Sequence, residues 1–430
     1  MPAFIDDFAA FIAASPSSYH AAAEVARRLD DAGFTRLSEA EAWGNDAGKR
    51  YVVRDGAILA WIQPAGSTST TPFRILGAHT DSPGFKLKPK PTTGSNGWLQ
   101  AGVEVYGGPL LNSWLDRELE LAGRLVTRDG QEHLVRTGPF MRIPQLAIHL
   151  DRGVTANGLT LDKQRHLSPV FGVGEASEAD LIGHLAGIAG VEAADVVGYD
   201  ILTADTNPPA RFGLDNQLFA AGRMDNLSSV FAGLIALLGT AGEEPVDEDT
   251  EVPSHISVLA SFDHEELGSE SRSGASGPML DDILSRIGEG LGATVSDKLR
   301  AYAESWCVSA DAGHAVHPNY AERHDPVNQP IAGGGPLLKI NANQRYSTDA
   351  AGAALWNRLC DAAGVQFQEF VSNNTVPCGS TIGPLTATRL GIRVVDVGVP
   401  LLSMHSAREL CHVDDPVALS AAISAFFAGE

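Results

Sequence analysis

The sequence predicts an α/β protein: a mainly parallel sheet flanked by helices, interrupted by an inserted, mostly β unit. Three observations carry this. Apolar strand-like runs at 74–78, 256–262, 306–309 and 393–397 alternate with helical stretches, the order expected of parallel strands joined by helices that cover both faces of a sheet. Between about Phe85 and Ala210 the texture changes to short alternating segments punctuated by glycine-rich turns. The 430 residues leave room for two or three domain-sized units. The expected division is therefore 1–84 with 211–430 as one discontinuous unit, and 85–210 as the insert.

The elements follow in order. Phe4, Phe8, Phe11 and Ile12 recur at helical spacing, which predicts a helix over 4–13. A second helix is expected over 18–32, with Ser17 or Ser18 as N-cap and Gly33 beyond its end. Residues 64–72, rich in Gly, Ser and Thr, read as a loop, and 74–78 as a short buried strand ending at His79. Inside the insert, 102–106 and 119–126 alternate as strands do. Gly107, Gly108 and Pro109, and later Asp129 and Gly130, supply turns, and 176–189 has mixed helical character. After Asp225 an apolar helix is expected over 227–238, then an acidic solvated loop over 242–251. Helices over 279–287 and 349–362 separate the later strands, and the run Gly333, Gly334, Gly335 reads as a flexible loop.

Composition narrows the function. Hydrophobic residues make up 44 % and charged residues 20 %, ordinary for a soluble globular chain. A formal net charge of −22 excludes nucleic acid and anionic membrane surfaces as partners, because both demand a basic face. The N-terminal stretch lacks the basic start of a signal peptide. No apolar run reaches the roughly 18 residues of a membrane span. Cys307, Cys360, Cys378 and Cys411 show no C-x-x-C pairing and read as reduced thiols of a cytoplasmic protein.

Chemistry concentrates at the strand ends. Glu265 and Glu266 stand side by side after the apolar run 256–262. Adjacent buried carboxylates repel and resist desolvation, so a cation is expected beside them. One would bind metal and the other would carry protons; spacing leaves open which does which. His79 and Asp81 follow the strand at 74–78, Asp311 follows 306–309, His405 comes shortly after 393–397, and Asp225 stands before a helix. Ligands in open α/β sheets gather beyond the carboxyl ends of the strands, so these residues are expected in one crevice. Two His and three carboxylates suit Zn²⁺, Mn²⁺ or Co²⁺ and exceed what one catalytic zinc takes; they match two ions sharing a carboxylate. Each residue also has a plain alternative: Asp225 capping the next helix, Asp311 serving a turn, Asp81 fixing the tautomer of His79. No G-x-S-x-G elbow, Walker A loop or basic-aromatic stacking surface competes.

These residues lie in longer motifs. The stretch 77–84 (Gly-Ala-His-Thr-Asp-Ser-Pro-Gly) is similar to the first metal motif of the M18 aminopeptidases, the aspartyl aminopeptidases. So are 223–227 (Arg-Met-Asp-Asn-Leu), 263–271 around the paired glutamates, 312–320, 341–346, 377–384 and 404–406 (Met-His-Ser), and the likeness runs from about Ser15 onward. The resemblance implies a zinc-peptidase-like catalytic domain with two divalent ions that removes an N-terminal residue, preferably Asp or Glu. It implies that Asp225 bridges the ions, His79 and Asp311 complete one site, Glu266 and His405 the other, and Glu265 is the general base. His314 and Lys339 match substrate-contacting positions. The insert matches a dimerisation domain whose His149 reaches a neighbour's site; where relatives often carry a second His four residues earlier, this chain has Gln145. Dimers of the family assemble into a tetrahedral dodecamer. At −22 the chain repels acidic peptides at long range, so the implied preference calls for local positive charge from metal, Lys339 and His149. Two other readings are a dinuclear aminopeptidase or deacylase of neutral substrates, and a silent assembly protein on the same fold; the retained Glu265 and ligand set speak against the second.

Overall fold

The computed structural model describes residues 2–242 and 255–430. The acidic stretch expected as a solvated loop lies, from residue 243 on, outside the described residues. The larger sheet has nine strands in the order Thr35–Arg36, Gly48–Arg54, Ala57–Gln63, Ile256–Phe262, Phe73–His79, Trp306–Ala310, Arg393–Gly398, Leu337–Lys339 and Gln368–Phe370. The four strands from Ile256–Phe262 to Arg393–Gly398 are mutually parallel. Every residue of Ile256–Phe262 is buried, as a continuous apolar strand requires when helices cover both faces. On one face pack the helices Pro2–Ala14, Ser18–Asp31, Met224–Gly242, Ala350–Ala363 and Asp415–Ala428. On the other pack Met279–Gly290, Val295–Glu304 and Ile382–Leu390.

Local signals set these helices. The Ser17 side chain accepts the His20 amide at 3.4 Å and caps Ser18–Asp31. Phe4 and Phe8 of the first helix meet Phe231 of Met224–Gly242 at ring-centroid distances of 5.1 and 5.2 Å, a pairing worth about 1 kcal/mol beyond the area buried. Against the expectation that no apolar stretch reaches membrane length, an 18-residue window of Met224–Gly242 has mean hydropathy 1.3, long and apolar enough to cross a membrane, yet 72 % of it is buried inside the fold. It is a core helix. Gly233 lets it lie close on the sheet, since a Cβ there would fall 1.9 Å from Leu76 Cδ2. The helix is longer than its apolar repeat suggested and starts at Met224, with Asp225 and Asn226 non-helical within its first turn.

The second sheet is drawn entirely from strands between Gly84 and Asp205. Its order is Val196–Asp205, Gly84–Ser95, Trp98–Tyr106, Val170–Val173, Met141–Arg142, Glu118–Thr127 and Glu132–Arg136. Val196–Asp205 pairs also with Glu118–Thr127, which closes the sheet on itself around its own core of Phe85, Trp114, Leu121 and Leu185. One expectation is overturned. The run Gly333, Gly334, Gly335 is not a loose loop: the Gly333 and Gly335 amides donate to the two Asp415 carboxylate oxygens at 2.9 and 3.0 Å.

Candidate metal centre

The four parallel strands end together, and the chemistry gathers there. His79 closes Phe73–His79, Asp311 follows Trp306–Ala310, and Glu265 and Glu266 form a short turn just beyond Ile256–Phe262. His405 sits in the loop after Arg393–Gly398 and Asp225 in the first turn of Met224–Gly242. His79 Nε2 lies 3.4 Å from Asp225 Oδ1, 3.5 Å from Asp311 Oδ1 and 3.9 Å from Glu265 Oε2. His405 Nε2 lies 3.4 Å from Asp225 Oδ2 and 3.3 Å from Glu266 Oε2. Asp225 thus turns one oxygen toward each histidine.

The tautomers follow from the partners. His79 Nδ1 is 3.1 Å from the Asp81 carbonyl and His405 Nδ1 is 2.9 Å from the Gly108 carbonyl. A carbonyl only accepts, so each Nδ1 carries the hydrogen. In the neutral rings each Nε2 then turns a lone pair toward carboxylates. Among the described residues, His79 Nε2, Asp225 Oδ1 and Glu266 Oε1 are buried without a hydrogen-bond partner. Lone pairs facing carboxylates across 3.3–3.9 Å repel unless positive charge lies among them. Protons are one source. Burial works against a charged His405 ring, but Asp225 and then Glu266 outweigh it and pull its pKa up to about 10. Burial, then the charges of Asp311 and Asp225, pushes Glu265 up to about 8, with His79 pulling the other way. A divalent cation is the other source. The donor set, imidazole nitrogen and carboxylate oxygen with no thiolate, is one that zinc and manganese accept. His79 with Asp225 and Asp311, and Asp225 with Glu266 and His405, each bring their donor atoms within 4.8 Å of one another.

Asp81 stands outside this inner set. Its carboxylate accepts the Glu265 and Glu266 amides at 3.0 and 3.1 Å and the Tyr106 hydroxyl at 3.0 Å. Burial opposes its ionisation, yet His79 and those amides hold its carboxyl below the usual range. Glu409, which the sequence reading did not single out, does the same opposite it. Its two oxygens accept the Asp225 amide at 3.0 Å and the His405 amide at 2.9 Å. Tyr106 was missed likewise; its contact with Asp81 and that of Glu409 with the Asp225 amide join residues 25 and 184 apart in sequence.

A cavity of about 480 Å³ adjoins the cluster through His314 and Ser403. His314, His317, His324 and Arg323 line it, and among the described residues no carboxylate does; Arg323 carries the fixed positive charge, since burial holds His324, like His314, toward the neutral form. Burial, then the Lys339 charge, holds the pKa of His314 below its ordinary value. Lys339 is not itself in that lining. It is 2 % exposed, and its ammonium donates to the Ala312 carbonyl at 2.8 Å and lies 3.9 Å from Asp311 Oδ2. Its charge meets the Tyr346 ring, which does line the cavity, at 5.3 Å from the centroid. His149 is apart from all of this, exposed on a segment with Leu146, Ile148 and Leu150, which are 56 %, 51 % and 74 % exposed.

The sequence profile of the family described as aminopeptidase I zinc metalloprotease (M18) matches residues 11–427. A probable M18 family aminopeptidase 2 of Streptomyces avermitilis is 54 % identical over 426 residues, covering 99 % of this chain and 97 % of that one. Its namesake in Mycobacterium tuberculosis is 44 % identical over 430 residues, with 98 % and 97 % covered. Among solved structures, a chain of the Ape4 and Nbr1 complex superposes with TM-score 0.94 at 35 % identity, covering 99 % of this chain and 86 % of that one. A chain of the S. cerevisiae mApe1 dodecamer gives 0.85 at 29 %, with 98 % and 95 % covered.

Proposed function

The chain belongs to the M18 family of zinc metallo-aminopeptidases, and on that premise we propose that it removes the N-terminal residue of peptides, preferring Asp or Glu, with two divalent ions. The observation that carries the two-ion reading is Asp225, whose two oxygens face different histidines. His79 and Asp311 would hold one ion with it, Glu266 and His405 the other. Such ions supply Lewis-acid polarisation of a carbonyl and acidification of water.

The remaining work falls to the chain's own side chains. Glu265 is the proposed general base. Its carboxylate faces the same histidine as Asp311 and Asp225, and its backbone is fixed through Asp81. It takes a proton from the attacking water as the water oxygen bonds to the scissile carbonyl carbon. It then gives that proton to the departing amine nitrogen as the C–N bond breaks. Asp81 and Glu409 hold the four backbones that carry Glu265, Glu266, Asp225 and His405.

The acidic preference is supported by the cavity beside the cluster. Among the described residues its lining holds the Arg323 charge and three imidazoles and no carboxylate, in contrast with a chain of net charge −22. A substrate Asp or Glu side chain would find there His314, His317, Arg323 and His324, with the Lys339 charge against Tyr346. The test is a panel of aminoacyl anilides. Asp and Glu substrates are expected to exceed Leu and Ala ones in kcat/KM by at least about tenfold, the effect of about 1.4 kcal/mol. Equal or reversed ratios would favour the neutral-substrate reading.

We further propose that residues 85–210 form the dimerisation unit of a cytoplasmic homo-oligomer. The mApe1 relative is a dodecamer, and the exposed Leu146, Ile148 and Leu150 beside His149 offer an apolar surface for a second copy. His149 would then reach the neighbouring subunit's cavity. The four cysteines are unpaired, in keeping with a reducing compartment.

A further inference from the structure

The segment that leaves the strand Trp98–Tyr106 of the closed sheet runs across the metal cluster. Tyr106 Oη donates to Asp81 at 3.0 Å, and Asp81 holds the Glu265 and Glu266 amides. The Gly108 carbonyl accepts from His405 Nδ1 at 2.9 Å. The Leu110 amide donates to the His405 carbonyl at 2.8 Å, and Ser113 Oγ accepts the Ala407 amide at 3.0 Å. Gly107 lies tightest of all. Its φ is +67°, and a Cβ there would stand 3.1 Å from Glu266 Cβ and 3.6 Å from Glu266 Oε2.

These contacts fall unevenly. Glu266 and His405 are touched directly by this segment, whereas His79 meets it only through Asp81. His405 is the more open of the two histidines, its side chain 30 % exposed against 1 % for His79. The partner that fixes a ligand histidine's tautomer and direction commonly changes metal affinity by about 10–100-fold when lost.

We propose that residues 106–113 are a positioning strap. Through it the closed sheet, and not the nine-stranded sheet alone, sets the geometry of the Glu266 and His405 half of the centre, and so how tightly that half keeps its ion. The inference rests on the two-ion reading above. It also makes the insert part of the site's architecture within one chain, independent of any neighbour.

Metal retention tests it. Wild type and variants are dialysed against graded chelator and the bound metal per folded chain is counted by mass spectrometry. Gly107→Ala should lose one of two ions at about tenfold lower chelator than wild type. Gly130→Ala is the control. It carries the same left-handed backbone cost, φ +83°, in a turn of the same sheet where a Cβ meets nothing within 4 Å, and it should track wild type. Gly107→Ala tracking Gly130→Ala would overturn the strap. If circular dichroism finds Gly107→Ala unfolded, Ser113→Ala decides, since it removes the hydroxyl that takes the Ala407 amide beside His405; earlier loss of one ion supports the strap and unchanged retention refutes it. A wild type that holds fewer than two ions refutes the two-ion reading, and the strap falls with it.

Discussion

Lys339 shows how one buried charge can serve two ends. It is 3.9 Å from Asp311 and sits against Tyr346, a wall of the basic cavity. If its charge draws an acidic side chain, Lys339→Ala should lower kcat/KM on Glu substrates more than on Leu substrates, by about tenfold or more. Equal loss on both would restrict it to holding Asp311. The residues that converge here were legible in the sequence because each follows an apolar run that forms a parallel strand, or opens a buried helix. His79, Asp311, Glu265 and Glu266 needed only that rule. Tyr106 and Glu409 were not legible: Asp81 and Asp225 lie 25 and 184 residues from them, and although Glu409 also takes the His405 amide four residues away, nothing in a local pattern marks a side chain as a support for a distant backbone.

Among the elements, the closing helix Asp415–Ala428 was hard to read for a related reason. Leu419, Ile423, Phe426 and Phe427 form one buried face, but the other side carries Val417, Ala418, Ala421 and Ala425 in place of charged residues, so the polar contrast that marks a surface helix is weak. By contrast Ser18–Asp31 was read to within a residue, because it has a capping serine and a polar face. A buried, pH-sensitive histidine packs against the end of the closing helix. His255 is 2 % exposed, and its Nε2 donates to the Phe427 carbonyl at 3.0 Å. Burial, then the Arg74 charge, lowers its pKa to about 4. A folded-state pKa below the unfolded value means that the unfolded chain binds the extra proton first. The contribution of His255 is therefore present above about pH 6.5 and is lost as pH falls toward 4. Between pH 7 and pH 5 wild type should lose about 2 kcal/mol of stability that His255→Gln does not. Parallel pH profiles in urea unfolding would contradict this.

At the scale of the whole molecule, a nine-stranded sheet and a closed sheet share one site. The change of texture near Phe85 made the mostly β insert legible, but not the closure of its sheet, since the pairing of Val196–Asp205 with Glu118–Thr127 depends on strands some 70 residues apart. If His149 serves a neighbouring subunit, His149→Ala should leave the mass of the assembly unchanged by light scattering while lowering kcat at least about tenfold. A drop in mass with activity per assembled subunit intact would instead make it an interface residue. The central claim is that Glu265 moves the proton while its neighbour Glu266 binds metal. It is tested most directly by counting metal in wild type and Glu265→Gln alongside their rates on an N-terminal Glu substrate. Two ions are expected in each protein, with a rate at least about a hundredfold lower in the variant. A variant that keeps both ions and near wild-type activity would contradict it.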